Sequence, residues 1–165
     1  MWNRIVYGLC LIFFIAGCSE SATPVQNDFL NYVNEELEPI GELEEQTLTS
    51  LHSVTGSNYT NDETLKQALE EEILPTYRKA VDKLQTIQPE TKELQDLHQQ
   101  YLEGAEKQLN GFEDAVEALK KKDQALMNSS NRQIADAQAT INEYKKGMEK
   151  LAEEHNIDYT VEGLE

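Results

Sequence analysis

The sequence predicts an all-α protein, an antiparallel up-down-up-down four-helix bundle. Three observations predict it. Four amphipathic stretches of roughly 26–32 residues carry apolar side chains at helical spacing. Start and turn signals separate them at Thr23, at Gly56-Ser57-Asn58-Tyr59, at Gln88-Pro89-Glu90 and at Asp123. No strand alternation, glycine-rich nucleotide loop or internal repeat intervenes. A single extended coiled coil is the alternative, and the capped loops near Gly56 and Pro89 argue against it.

Residues 1–17 stand apart from the bundle. Met1 to Arg4 carries one basic side chain, and Ile5 to Ala16 carries no charge. A basic n-region followed by an apolar h-region reads as a signal peptide that is removed. The run is too short to span a bilayer, which takes about 20 apolar residues. Small residues Ala16 and Gly17 then lead into Cys18.

Residues 18–23 read as a tether. The bundle is expected over 24–155 and a tail over 156–165. Thr23-Pro24-Val25-Gln26 forms a capping box with proline at the first helical position. The first helix reaches Val54, with Phe29/Leu30, Val33, Leu37, Ile40, Leu43, Leu48, Leu51 and Val54 inward. Pro39 and Gly41 are expected to kink it. Thr60 to Glu63 reads as a second capping box, and Pro75 interrupts the helix that follows. That helix turns Leu65, Leu69, Ile73, Tyr77, Ala80/Val81, Leu84 and Ile87 inward. The third stripe is Leu94, Leu97/His98, Tyr101, Ala105, Leu109, Phe112, Val116 and Leu119. Lys120-Lys121-Lys122 complements its carboxyl end and Asp123 caps the next helix. The fourth stripe is Ile134, Ala137, Ile141, Tyr144, Met148 and Leu151.

Composition excludes several functions. Removing residues 1–17 takes away Arg4 and no acid, so the net charge of −17 becomes −18. Nucleic acid is excluded as a partner, because binding it requires Lys and Arg to neutralise phosphates. No Lys or Arg occurs from Ile5 to Leu65, where ten acids do. Such a surface is repelled by anionic lipid. The acidity serves solubility; a surface for a cationic partner or loosely held divalent ions is the sharper alternative. Cys10 and Cys18 are the only cysteines, so the processed chain has no disulfide, free thiol or cysteine metal site.

No cofactor, metal or catalytic residue is expected. Bundles that hold di-iron sites use Glu-x-x-His pairs. Three residues before His52, His98 and His155 stand Thr49, Gln95 and Ala152, so no such pair forms. No nucleophile elbow is present. Reflecting residue numbers through the turns places Tyr77, Tyr101 and Tyr144 in one layer beside the stretches at Pro39 and Pro75. His98 is expected one turn away, facing Gly147. A packed aromatic layer accounts for these residues, since aromatic stripes at helical spacing are usually core. A polar-lined cavity, opened where the prolines splay the helices, is the functional alternative.

Ile15-Ala16-Gly17-Cys18 resembles the bacterial lipobox, with the h-region in its expected place. The resemblance covers residues 1–18. It implies a diacylglycerol on the Cys18 thiol and a cut by signal peptidase II just before it, with Ile15, Ala16 and Gly17 as the recognition residues. Two acyl chains then hold the protein stably on the outer face of the cell membrane. Ser19 stands where retained Gram-negative lipoproteins often carry Asp. The whole resembles small, mostly uncharacterised firmicute lipoproteins with helical bundles.

Three functions are compatible with that reading. The first is a non-enzymatic surface module that binds another envelope protein. The second is small-ligand capture in the tyrosine layer by Tyr77, Tyr101, Tyr144 and His98. The third is a prophage-type immunity or exclusion lipoprotein. The anchor itself is testable by immunoblotting cell and medium fractions. Cys18→Ala is expected to release the chain into the medium, and membrane retention would contradict the lipobox.

Overall fold

The computed structural model describes residues 22–159. Within them every regular element is helical. They are α1 (Pro24–Asn31), a π turn (Tyr32–Glu36), α2 (Glu38–Val54), a 3₁₀ turn (Gly56–Asn58), α3 (Asp62–Ala68), a second π turn (Leu69–Ile73), α4 (Leu74–Leu84), α5 (Lys92–Lys121) and α6 (Gln124–Glu154). The all-α class is therefore correct. The lipobox residues Ile15, Ala16, Gly17 and Cys18 lie outside the described residues, as do the tether up to Ser21 and the tail from Thr160.

The caps follow the sequence closely. Thr23 Oγ1 accepts the Gln26 N–H at 3.2 Å, and Gln26 Oε1 accepts the Thr23 N–H at 2.7 Å. Asp123 Oδ1 accepts the N–H groups of Ala125 and Leu126 at 2.9 and 3.0 Å. The box expected at Thr60 is shifted by one residue. Asn61 caps α3, its Oδ1 accepting the Thr64 N–H at 2.9 Å. Asn is the stronger N-cap of the two, and its extended backbone suits the position.

Pro39 and Pro75 do more than kink their helices. A proline ring clashes with the carbonyl four residues before it. Those carbonyls belong to Glu35 and Glu71, and each lies inside a π turn. The π turn admits one extra residue, so the Leu37 N–H reaches back five residues to the Tyr32 carbonyl at 2.9 Å. The Leu74 N–H reaches the Leu69 carbonyl in the same way.

The elements pack unequally. α5 and α6 form a long, close hairpin. A Cβ on Gly104 would lie 2.7 Å from Ile141 Cγ1, so only glycine lets the two helices approach this far. α2 packs on α4, while α4 and α1 pack on α5. Among the described residues the backbone of α6 is packed extensively against α5 alone. Asp28, buried on α1, accepts the N–H groups of Glu90 and Thr91 at 3.1 and 2.7 Å. It thereby supplies partners for amides at the start of α5 and ties α1 to that turn.

Two residues of the expected first stripe are exposed instead, Leu30 at 45% and Leu48 at 51%. At Leu30 the inward position is taken by Phe29. At Leu48 the helix faces the side that α6 leaves uncovered, and the neighbouring Thr47 is buried with its hydroxyl on the Leu43 carbonyl at 2.8 Å. Ile157 and Tyr159, past the end of α6, pack against the core.

Candidate functional site

The loose side of the molecule is a groove between α2 and α6, with residues of α4 and α5 as its floor. It encloses about 510 Å³. Leu37, Gly41, Glu44, Leu48 and Leu51 line one wall, and Gln138, Ile141 and Lys145 the other. Tyr77, Tyr101, Tyr144 and Phe112 line the groove between them, and Tyr159 also borders it. Among the tyrosines singled out from sequence, all three of Tyr77, Tyr101 and Tyr144 come together in this one lining.

Their rings are packed in pairs. Tyr101 and Tyr144 stack with centroids 4.6 Å apart and planes 9° from parallel. Tyr77 meets Phe112 edge to face at 5.5 Å. Tyr159 meets Phe29 edge to face at 5.0 Å, closing the end of the groove nearest α1. Burial holds the hydroxyls of Tyr77, Tyr101 and Tyr144 well above the ordinary tyrosine range, so they stay protonated. The Tyr77 hydroxyl is buried and meets no hydrogen-bond partner among the described residues. Glu44 is half-buried on the groove wall. Burial raises its carboxyl above the usual value, against the opposing effects of the Tyr101 hydroxyl and Lys145.

His98 is placed elsewhere. It does not line the groove. It is 7% exposed, and its Nδ1 accepts a hydrogen bond from the Tyr32 hydroxyl at 3.0 Å. The Tyr32 oxygen accepts in turn from the Tyr144 hydroxyl over a long 3.5 Å. Nδ1 as acceptor assigns a neutral ring with its proton on Nε2. The Leu84 backbone acts on the ring to favour its charged form. Burial lowers the imidazole pKa, and the Leu84 backbone offsets this only in part. His98 does not face Gly147. Leu97 does: a Cβ on Gly147 would lie 2.3 Å from Leu97 Cδ2. Adjacent helical residues point about 100° apart, so only one of Leu97 and His98 can face α6.

Tyr32, Glu44, Lys145 and Tyr159 belong to the site or its support and were not singled out from sequence. Tyr32 sits three residues after Phe29, which is a legible helical spacing, but Val33 competes for the same stripe. Tyr159 is a lone aromatic in a polar terminal stretch. Glu44 is one acid among many and carries no distinguishing signal. Among the described residues no group of three or more His, Cys, Asp and Glu could hold a metal ion. No helix among them is long and apolar enough to cross a membrane.

These features define a helical protein with a grooved side, whose first 18 residues include a lipobox-like sequence. A family model described as EMYY-motif containing lipoprotein matches residues 1–162, and the chain belongs to that family. Membership makes it a lipid-anchored membrane protein. No curated protein and no solved structure matches the chain significantly.

The buried hydroxyls respond oppositely to removal. Tyr77→Phe deletes an unpartnered group and is expected to raise stability by about 1 kcal/mol, whereas Tyr32→Phe strips His98 of its donor and is expected to lower it by about 1–2 kcal/mol. Chemical denaturation checks both. His98, whose pKa is lowered on folding, contributes stability that is present above its unfolded-state value near 6.5 and is lost as pH falls from there through the lower folded-state value. That loss is expected to be smaller in His98→Gln.

Proposed function

We propose that this chain is an extracytoplasmic lipoprotein of a Gram-positive, firmicute-type cell, held by acyl chains on Cys18, whose helices form an up-down-up-down four-helix bundle serving as a non-enzymatic binding module. The observation that carries the binding role is the groove of about 510 Å³ with its aromatic lining. Its size falls within the range of small-molecule sites, which run from roughly 300 to 1,000 Å³. Cross-links between helices support the bundle topology. Ser50 on α2 bonds Glu72, Arg78 on α4 pairs with Glu113 on α5, and Ser130 on α6 bonds the Gly111 carbonyl on α5, so successive segments of the chain meet side by side. The non-enzymatic reading is supported by His98, which is buried with its Nδ1 on the Tyr32 hydroxyl and lies outside the groove lining.

Gly41 offers a clean test, because its missing Cβ faces open space within the groove lining. Gly41→Trp fills the groove without touching the core. In a thermal-shift screen of mixed metabolites on the processed chain carrying Cys18→Ala, compounds are expected to raise the melting temperature. The same compounds are expected to fail on Gly41→Trp. No hit, or hits that ignore Gly41→Trp, would overturn the groove reading. Docking of another envelope protein is a second reading, favoured by Leu48 standing half exposed on the groove wall. Cross-linking in intact cells is expected to recover a specific partner on that reading.

A further inference from the structure

The groove contains two charged side chains among the described residues, Glu44 on α2 and Lys145 on α6. They face one space and carry opposite charges. Elsewhere on this protein such side chains meet readily, as Lys120 with Glu70 at 2.7 Å and Lys121 with Glu117 at 2.7 Å. Glu44 and Lys145 make no ion pair within 4.0 Å among the described residues. Both are half-buried. Among the described residues the Glu44 carboxyl has only the Tyr101 hydroxyl and the Lys145 charge beyond 4.0 Å as neighbours, so two charges partly withdrawn from water keep capacity for a further partner. A third group with such capacity is the Tyr77 hydroxyl, only 2% exposed and unpartnered among the described residues. The apolar and aromatic part of the lining includes Leu51, Ile141 and the stacked Tyr101 and Tyr144.

Resting on the groove reading above, we propose that the groove takes a small organic ammonium ion that also carries an anionic group at its far end. Glu44 and the Tyr77 hydroxyl hold the ammonium end, Lys145 holds the anionic end, and the apolar lining covers the span. Ring faces of tyrosine add attraction for the cation. An anion alone is disfavoured, because it meets one lysine within the field of a strongly acidic chain, −17 before processing and −18 after it. A cation alone leaves Lys145 facing it unpaired.

Four linear six-carbon probes separate these cases at nearly constant shape: 6-aminohexanoate, hexylammonium, hexanoate and 1-hexanol. Affinity is read from tyrosine ring signals by NMR on the processed chain carrying Cys18→Ala. The expected tightest binder is 6-aminohexanoate. Glu44→Gln is expected to weaken both ammonium compounds about tenfold and to leave hexanoate and hexanol unchanged. Lys145→Met is expected to weaken 6-aminohexanoate and hexanoate but not hexylammonium. Circular dichroism verifies that both variants are folded. Equal binding of hexanol and 6-aminohexanoate, tightest binding of hexanoate, or indifference to Glu44→Gln would overturn the inference. If all four probes fail while screen hits blocked by Gly41→Trp remain, the charge assignment falls and the groove stands. If those hits are absent too, both fall.

Discussion

The clash between a proline ring and the carbonyl four residues upstream is the constraint from which the rest of the architecture follows. It occurs twice, at Pro39 against Glu35 and at Pro75 against Glu71, and each is relieved by a π turn. One added residue rotates the downstream face by about 100° relative to an unbroken helix. α2 therefore does not continue the face that α1 presents. α1 is tied down through Asp28 and through Gln26, whose amide donates to the His155 carbonyl at 2.7 Å. Beyond the π turn no comparable backbone packing joins α2 to α6, and the groove occupies the gap.

The closed end of that gap is held by a buried polar chain. It runs from the Tyr144 hydroxyl to the Tyr32 oxygen and from the Tyr32 hydroxyl to His98, beside the Leu84 backbone. It links residues of the first π turn, α5 and α6. Buried polar groups are tolerated when every member is satisfied, and this chain satisfies its members. Tyr77 is the contrast, a hydroxyl in the same core left without a partner and lining the groove. A fold built only for stability would carry phenylalanine there. Tyr32 is held by partners within the helical core, and Tyr77 is not.

Much of this was legible in the sequence. The helical class, the caps at Thr23 and Asp123 and the convergence of Tyr77, Tyr101 and Tyr144 all follow from periodicity and local hydrogen-bonding chemistry. Pro39 and Pro75 announced interruptions, yet their form as π turns depends on how the clash is resolved in packed surroundings. For the same reason the exposure of Leu48 and the inward turn of Tyr32 were not legible, since both depend on which face survives the added residue. Glu44 and Lys145 were invisible for another reason. Charge at a surface-type helical position has no local mark that distinguishes a solvated side chain from one beside a groove. His98 was expected beside Gly147, and adjacency to Leu97 on the same stripe concealed which of the two faces α6.

Membership of a lipoprotein family implies a lipid anchor. The groove's geometry nonetheless depends on the backbone rather than on the membrane, and the proline clash is open to direct measurement. Hydrogen-bond scalar couplings across the first interruption report which carbonyl the Leu37 amide engages. The account predicts a coupling from Leu37 to the Tyr32 carbonyl in the native chain, and its transfer to the Val33 carbonyl in Pro39→Ala as a regular helix forms. A native coupling to Val33, or a Tyr32 coupling that survives Pro39→Ala, would contradict it.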